Sequence, residues 1–109
     1  MSTVNLHHLA EERSIALHAE VAERLRREPS LLERVRARVE GWRRDGSVHP
    51  GIARAWSDLL ARPLPEILTA IVDPGEEARA LRQSTPFTGI LDQATRHRIR
   101  AAVRDRLGP

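Results

Sequence analysis

The chain has 109 residues, enough for one domain around a single core, and Leu, Ile, Val and Phe supply 27 of them, above the level at which disorder is the default. It has no cysteine, which removes disulfide frameworks and thiolate metal sites, and no apolar run approaches the ~20 residues of a membrane span. Eighteen arginines, no lysine and 15 acidic residues leave a net charge of +3, a balance that fits solvated helix faces laced with ion pairs more than a nucleic-acid-binding stripe.

Residues 1–7 read as a flexible N-terminal arm without the basic flank and apolar core of a secretory signal, so a cytoplasmic location is expected. From Leu9 to Arg27, Ala10, Leu17, Val21 and Leu25 fall on one helical face. Pro29 stops this helix, and Ser30-Leu-Leu-Glu33 has the form of a capping box for a second helix reaching about Asp45. Leu32, Val35, Val39 and Trp42 make a narrow seam at 3-4-3 spacing. The short Pro29 corner predicts an antiparallel helical hairpin.

Trp42 to Leu60 carries both tryptophans of a chain with three aromatic residues. Gly46 stands where a helix C-terminus wants positive φ, and Pro50 suits the first turn of a third helix ending near Ala61. Both indoles are expected to be largely buried and close together, one on each side of this corner. A short fourth helix starts at Pro65 and carries Ile67, Leu68, Ile71 and Val72. A fifth runs from Pro74 to Gln83, with Asp73 as cap and Glu76 three residues on. Ser84 to Leu91 is irregular, and Asp92 caps a last helix to about Leu107, with Ile99, Ala102, Val103 and Leu107 inward. Alternating β-branched runs are missing. The expected fold is all-α: a compact single domain over residues 1–109, a bundle of five to six helices.

Arg44-Asp-Gly-Ser-Val-His49 fits the R-x4-H pattern of the HEPN family of small helical ribonucleases, in which such a pair would stabilise phosphate charge and move a proton. Arg13 to His18 has the same spacing, which shows how readily an arginine-rich chain produces it. The resemblance places its pair on a continuous helix, whereas Arg44 and His49 span a corner. His49 reads more simply as a cap for the helix starting at Pro50. No complete catalytic set emerges. His7 and His8 are adjacent and do not share a helix face, so no metal site is expected, and no phosphate loop or other cofactor signature is present.

Arg96, Arg98, Arg100, Arg104 and Arg106 make the last helix strongly basic, and Arg98, Arg100 and Arg104 are the candidates for a nucleic-acid contact. No aromatic is interleaved for base stacking, so this stays an alternative. In the apolar Ser84–Leu91 segment, Phe87, Ile90 and Leu91 are expected to plug the end of the bundle. A buried Phe87 would then hold Arg82, Gln83 and Arg96 outward for recognition of a partner.

Glu12-Arg-Ser14, Pro29-Ser-Leu-Leu-Glu-Arg34, Gly46-Ser-Val-His-Pro50, Ala53-Arg-Ala-Trp56, Ala80-Leu-Arg-Gln-Ser84 and Pro86-Phe87 together resemble small antitoxin-like proteins of GC-rich bacteria encoded beside nucleotidyltransferase-type toxins. The resemblance spans nearly the whole chain. It implies a protein partner, a cognate toxin, and gives no active residue; no cofactor and no membrane contact are expected from the residues themselves, and the oligomeric state is left open.

Overall fold

A computed structural model describes residues 6–108 and shows an all-α domain of six helices: α1 (Leu6–Arg27), α2 (Leu31–Asp45), α3 (Pro50–Leu60), α4 (Leu64–Ala70), α5 (Glu76–Arg82) and α6 (Gln93–Leu107). The first helix starts three residues before the apolar stripe predicts. Leu6 and His7 are therefore helical and not part of an arm, and the rest of the expected arm lies outside the described residues.

The core gathers one face from each of several elements. Val21 and Leu25 of α1, Leu32, Val35 and Val39 of α2, Trp56, Leu59 and Leu60 of α3, and Ile67 with Ile71 at the end of α4 are all buried. Phe87 and Leu91 close it from the 84–91 segment, with Ile90 packed alongside, as the apolar character of that segment predicts. Ala10 and Ala102, expected inward, are exposed; a methyl group gains too little from burial to steer a helix face that larger residues already define.

The Pro29 corner joins α1 and α2, yet each finds its main packing partner elsewhere. α1 lies along α6 and α2 along α3. Glu12 of α1 reaches Arg106 of α6, 3.9 Å away, so the N-terminal half of one helix meets the C-terminal end of the other. The molecule is elongated, with extents of 48 × 29 × 23 Å.

Capping follows the sequence signals at Gly46, His49 and Asp92. Gly46 has φ 71°, and its N–H donates to Trp42 O at 3.0 Å, closing α2. His49 Nδ1 accepts from Gly51 N at 3.0 Å at the start of α3. Asp92 accepts from Thr95 N at 2.7 Å at the start of α6. Ser30 departs from expectation: it is already helical (φ −61°, ψ −19°) and makes no side-chain cap. The first donors of α2 go to carbonyls of the Pro29 corner, Leu31 N to Glu28 O and Leu32 N to Pro29 O. Asp73 likewise turns aside, accepting from Gly75 N at 2.6 Å in a tight turn, and Gly75 precedes α5 as its cap residue.

Candidate functional site

Arginine does internal work that the charge pattern conceals. Arg36 of α2 donates through Nε and Nη2 to Leu60 O, at 3.1 and 3.0 Å, where α3 ends. Arg38 of α2 donates to Pro86 O at 3.2 Å and to Thr88 O, fastening the 84–91 segment. Arg82 is 4 % exposed and donates through Nη1 to Ile71 O (3.1 Å) and Asp73 O (2.7 Å), just beyond α4. Carbonyls at a helix C-terminus lack intrahelical donors, and a guanidinium carries five N–H groups in a rigid fork. Arg82 is thus turned inward, contrary to the outward placement expected for partner recognition. Burial lowers its pKa, with Glu11 and Asp73 opposing that shift.

Beside it sits the buried polar junction of the fold. His18 of α1 donates from Nδ1 to Ser14 O at 2.7 Å and accepts at Nε2 from the Thr85 hydroxyl at 2.9 Å. That assignment is the neutral tautomer consistent with a carbonyl on one side. Thr85 Oγ1 also accepts from Phe87 N at 3.2 Å. The Phe87 ring meets His18 edge-on at 5.9 Å and Trp56 edge-on at 5.6 Å. Desolvation lowers the His18 pKa most, with the Arg82 charge adding to it against the Ser14 bond. Both ring nitrogens of His18 are thereby engaged, and its environment favours the neutral imidazole. Arg96, half-buried, and His18 both line a recess of about 70 Å³ here, while Gln83 is exposed nearby in sequence.

Arg44 and His49 are both exposed, Arg44 in the last turn of α2 and His49 ahead of α3 with its Nδ1 taken by the Gly51 N–H. The other R-x4-H pair lies on the continuous α1, but there His18 has both ring nitrogens engaged. Among the described residues, no group of three His, Asp or Glu side chains is placed to hold a metal ion.

The α2–α3 corner offers a different kind of site. Trp56 is 1 % exposed and belongs wholly to the core, but Trp42 is only half-buried. Of the two indoles expected to be largely buried, only Trp56 is; Trp42 packs against the edge of the core cluster that contains Trp56, and the ring contacts among the described residues are those of Phe87 with His18 and Trp56. Trp42 also lines a groove of about 470 Å³ with Val48, Pro50 and Ala53, rimmed by Arg43 and Arg54. The seam at 3-4-3 spacing could not show this. Its last position falls in the last turn of α2, whose closing N–H from Gly46 bonds to Trp42 O.

On α6, Asp92 and Thr95 secure the start, and Val103 and Thr95 face inward. Arg96, Arg100 and Arg104 are four residues apart and share one flank, with Arg98 on another. Arg100, Arg98 and Arg104 are exposed, and Arg104 lies 3.7 Å from Asp105.

Comparison with models of protein families, with characterised proteins and with solved structures finds no match to this chain. No helix among the described residues is long and apolar enough to cross a membrane.

Proposed function

We propose that this chain is an antitoxin-like protein-binding module that neutralises a partner enzyme in the cytoplasm, the nucleotidyltransferase type being the partner its sequence resemblance implies. One observation carries the reading: the histidines of both R-x4-H pairs are engaged by the fold, while a set of exposed arginines is left to meet something else. His18 and His49 are tied to backbone or hydroxyl groups. Arg34, Arg54, Arg62 and Arg100 are exposed and have no ion-pair partner among the described residues. Arginine is the charged residue most used at binding hot spots, because its planar fork pairs bidentately with carboxylates.

Co-expression with the product of the adjacent gene tests this. A stable complex that relieves the toxicity of that product supports the reading. A neighbour equally toxic with and without this chain removes it.

The flank of Arg96, Arg100 and Arg104 favours one second reading, autoregulatory DNA binding. Side chains about 6 Å apart along a helix can follow a phosphate backbone, and each neutralised phosphate steepens the salt dependence. Binding to the chain's own promoter that is indifferent to salt, or to replacing Arg100 and Arg104, rules that mode out. Cleavage of RNA lost in His49→Ala would instead support the ribonuclease alternative built on Arg44 and His49.

A further inference from the structure

The 84–91 segment is fastened to α1, α2 and α3 by side chains. Its own backbone bonds are local, Ser84 N–H to Leu81 O at 3.0 Å and Ile90 N–H to Phe87 O at 3.1 Å; among the described residues none reaches those helices. The Arg38 guanidinium holds the carbonyls of Pro86 and Thr88, the His18 ring holds Thr85, and Phe87 meets Trp56 edge-on. Pro86, Phe87 and Leu91 are buried, while Thr88 and Gly89 are exposed, with Gly89 at φ 93°. A stretch without ladder hydrogen bonds to its neighbours opens at lower cost than the helices beneath it.

Of these holds, the one at His18 is the one a proton can change, since a guanidinium stays charged. His18 is 5 % exposed, and its Nδ1–H is committed to Ser14 O at 2.7 Å. An added proton therefore goes to Nε2, where the Thr85 hydroxyl now donates at 2.9 Å. The imidazolium then points an N–H at Thr85 Oγ1, which already accepts from Phe87 N–H at 3.2 Å. The hydroxyl hydrogen loses its acceptor in a recess lined largely by Leu17, Val21, Phe87 and Leu91. The new charge finds no counterion there. Arg82 of α5 repels it, Arg96 of α6 lines the same recess, and neither α4, which also packs on α1, nor the 84–91 segment adds a carboxylate to the lining. Glu11 of α1 serves the arginines instead, 3.8 Å from Arg79 and acting on Arg82. A buried charge without a partner is costly, and exposure to water relieves it.

We propose that residues 84–91 form a pH-sensitive strap: with His18 neutral it lies closed against the core, and protonation of His18 at Nε2 opens it while the six helices stay folded. The proton comes from water and no covalent bond changes. Opening takes Phe87 off the His18 and Trp56 rings and lets water reach the imidazolium. The device does not depend on what the chain binds. In the open form the ring regains the ordinary histidine pKa of about 6.5. Each pH unit below that value then raises the open-to-closed ratio about tenfold, until the closed form itself protonates, and above it the ratio is level.

The test is amide hydrogen exchange of the full chain, followed by NMR and corrected for the intrinsic exchange rate at each pH. The amides of Phe87 and Ile90 should be less protected than those of Val39 and Leu60 at every pH. Low urea should leave strap exchange nearly unchanged while speeding that of Val39 and Leu60, because a local opening exposes little surface. The strap opening constant should rise at least about tenfold between about pH 7 and about pH 5. His18→Gln should make that constant level with pH. Arg38→Gln removes the other polar hold and titrates nothing, so it should raise opening by a similar factor at both pH values and keep the slope. The ring resonances of His18 in the unaltered chain read the titration directly, and they carry the assignment if His18→Gln does not fold.

Strap amides as protected as Val39, or strap exchange that follows urea as the core does, would show that the segment opens only with the whole fold, and overturn the proposal. An opening constant level across the range overturns it too. So does a slope that persists in a folded His18→Gln, or a His18 ring that titrates at or above the ordinary value of about 6.5. Formation or absence of a complex with the adjacent gene product leaves every one of these readouts unchanged, so the strap and the binding-module reading stand or fall separately.

Discussion

At the scale of single residues, the two tryptophans differ in how deeply they are buried. Trp56 is 1 % exposed, in edge contact with Phe87, and its indole N–H is buried without a partner. Trp56→Ala should therefore cost about 3–5 kcal/mol of stability in urea denaturation, the usual range for emptying a buried aromatic position. Trp56→Phe should cost much less, because it retains the ring and removes an unsatisfied donor. Trp42→Phe should move the urea midpoint less than Trp56→Ala does. A Trp42 variant that unfolds the chain while Trp56→Ala is mild would reverse this division. Arg82 obeys the opposite logic from a surface charge. Arg82→Met keeps most of the apolar stem but leaves the carbonyls of Ile71 and Asp73 without their donor. A loss of roughly 1–3 kcal/mol is expected, and a neutral result would mean that water replaces the guanidinium without cost.

At the scale of elements, helix existence was legible and helix termination only partly so. Stripes of Leu, Val and Ile at helical spacing announce each long helix because burial of those side chains is what stabilises it. Caps depend instead on backbone torsions that a motif does not report. Asp92 sits in extended backbone (φ −73°, ψ 167°), from which its carboxylate can reach Thr95 N, whereas Ser30 sits in helical backbone from which no such reach occurs. The two sites give a paired experiment. Asp92→Ala should lower stability by about 0.5–2 kcal/mol and Ser30→Ala by no more than a few tenths, as read from thermal or urea midpoints. Equal losses would show that Ser30 caps α2 in solution after all. The candidate groove was hidden for a related reason. Periodicity says which face of a helix is apolar, but the depth of Trp42 depends on how far α3 diverges from α2 after Pro50. The inward turn of Arg82 was hidden because its targets, two carbonyls beyond α4, carry no side-chain signature.

At the scale of the whole molecule, the 84–91 segment is held from two directions, and one of those holds depends on pH. Arg38 reaches it from α2, and His18 reaches it from α1 through Thr85, across 67 residues of sequence. The His18 link requires an imidazole that accepts at Nε2, and it lies among Phe87, the Ser14 carbonyl and the Arg82 charge, all but the carbonyl unfavourable to protonation. A histidine whose pKa is lowered by folding binds fewer protons in the folded chain than in the unfolded one. Stability then rises with pH, is complete above the ordinary histidine value of about 6.5, and is lost as pH falls below it toward the folded pKa. Asp92 titrates in the same sense but in a lower window, since hydrogen bonds from Thr95 hold its carboxyl below the ordinary carboxylate range. Acid should therefore weaken the fold in two stages, the upper one belonging to His18. Thermal melts of the intact chain should show Tm falling between about pH 7 and pH 5, before the carboxylates respond. His18→Gln, which retains a polar side chain without a titrating group, should start from a lower Tm and lose most of that upper slope while keeping the lower one. A wild-type Tm that is level across the upper window, or a slope unchanged in His18→Gln, would place the pH-sensitive joint somewhere other than the link between α1 and Thr85.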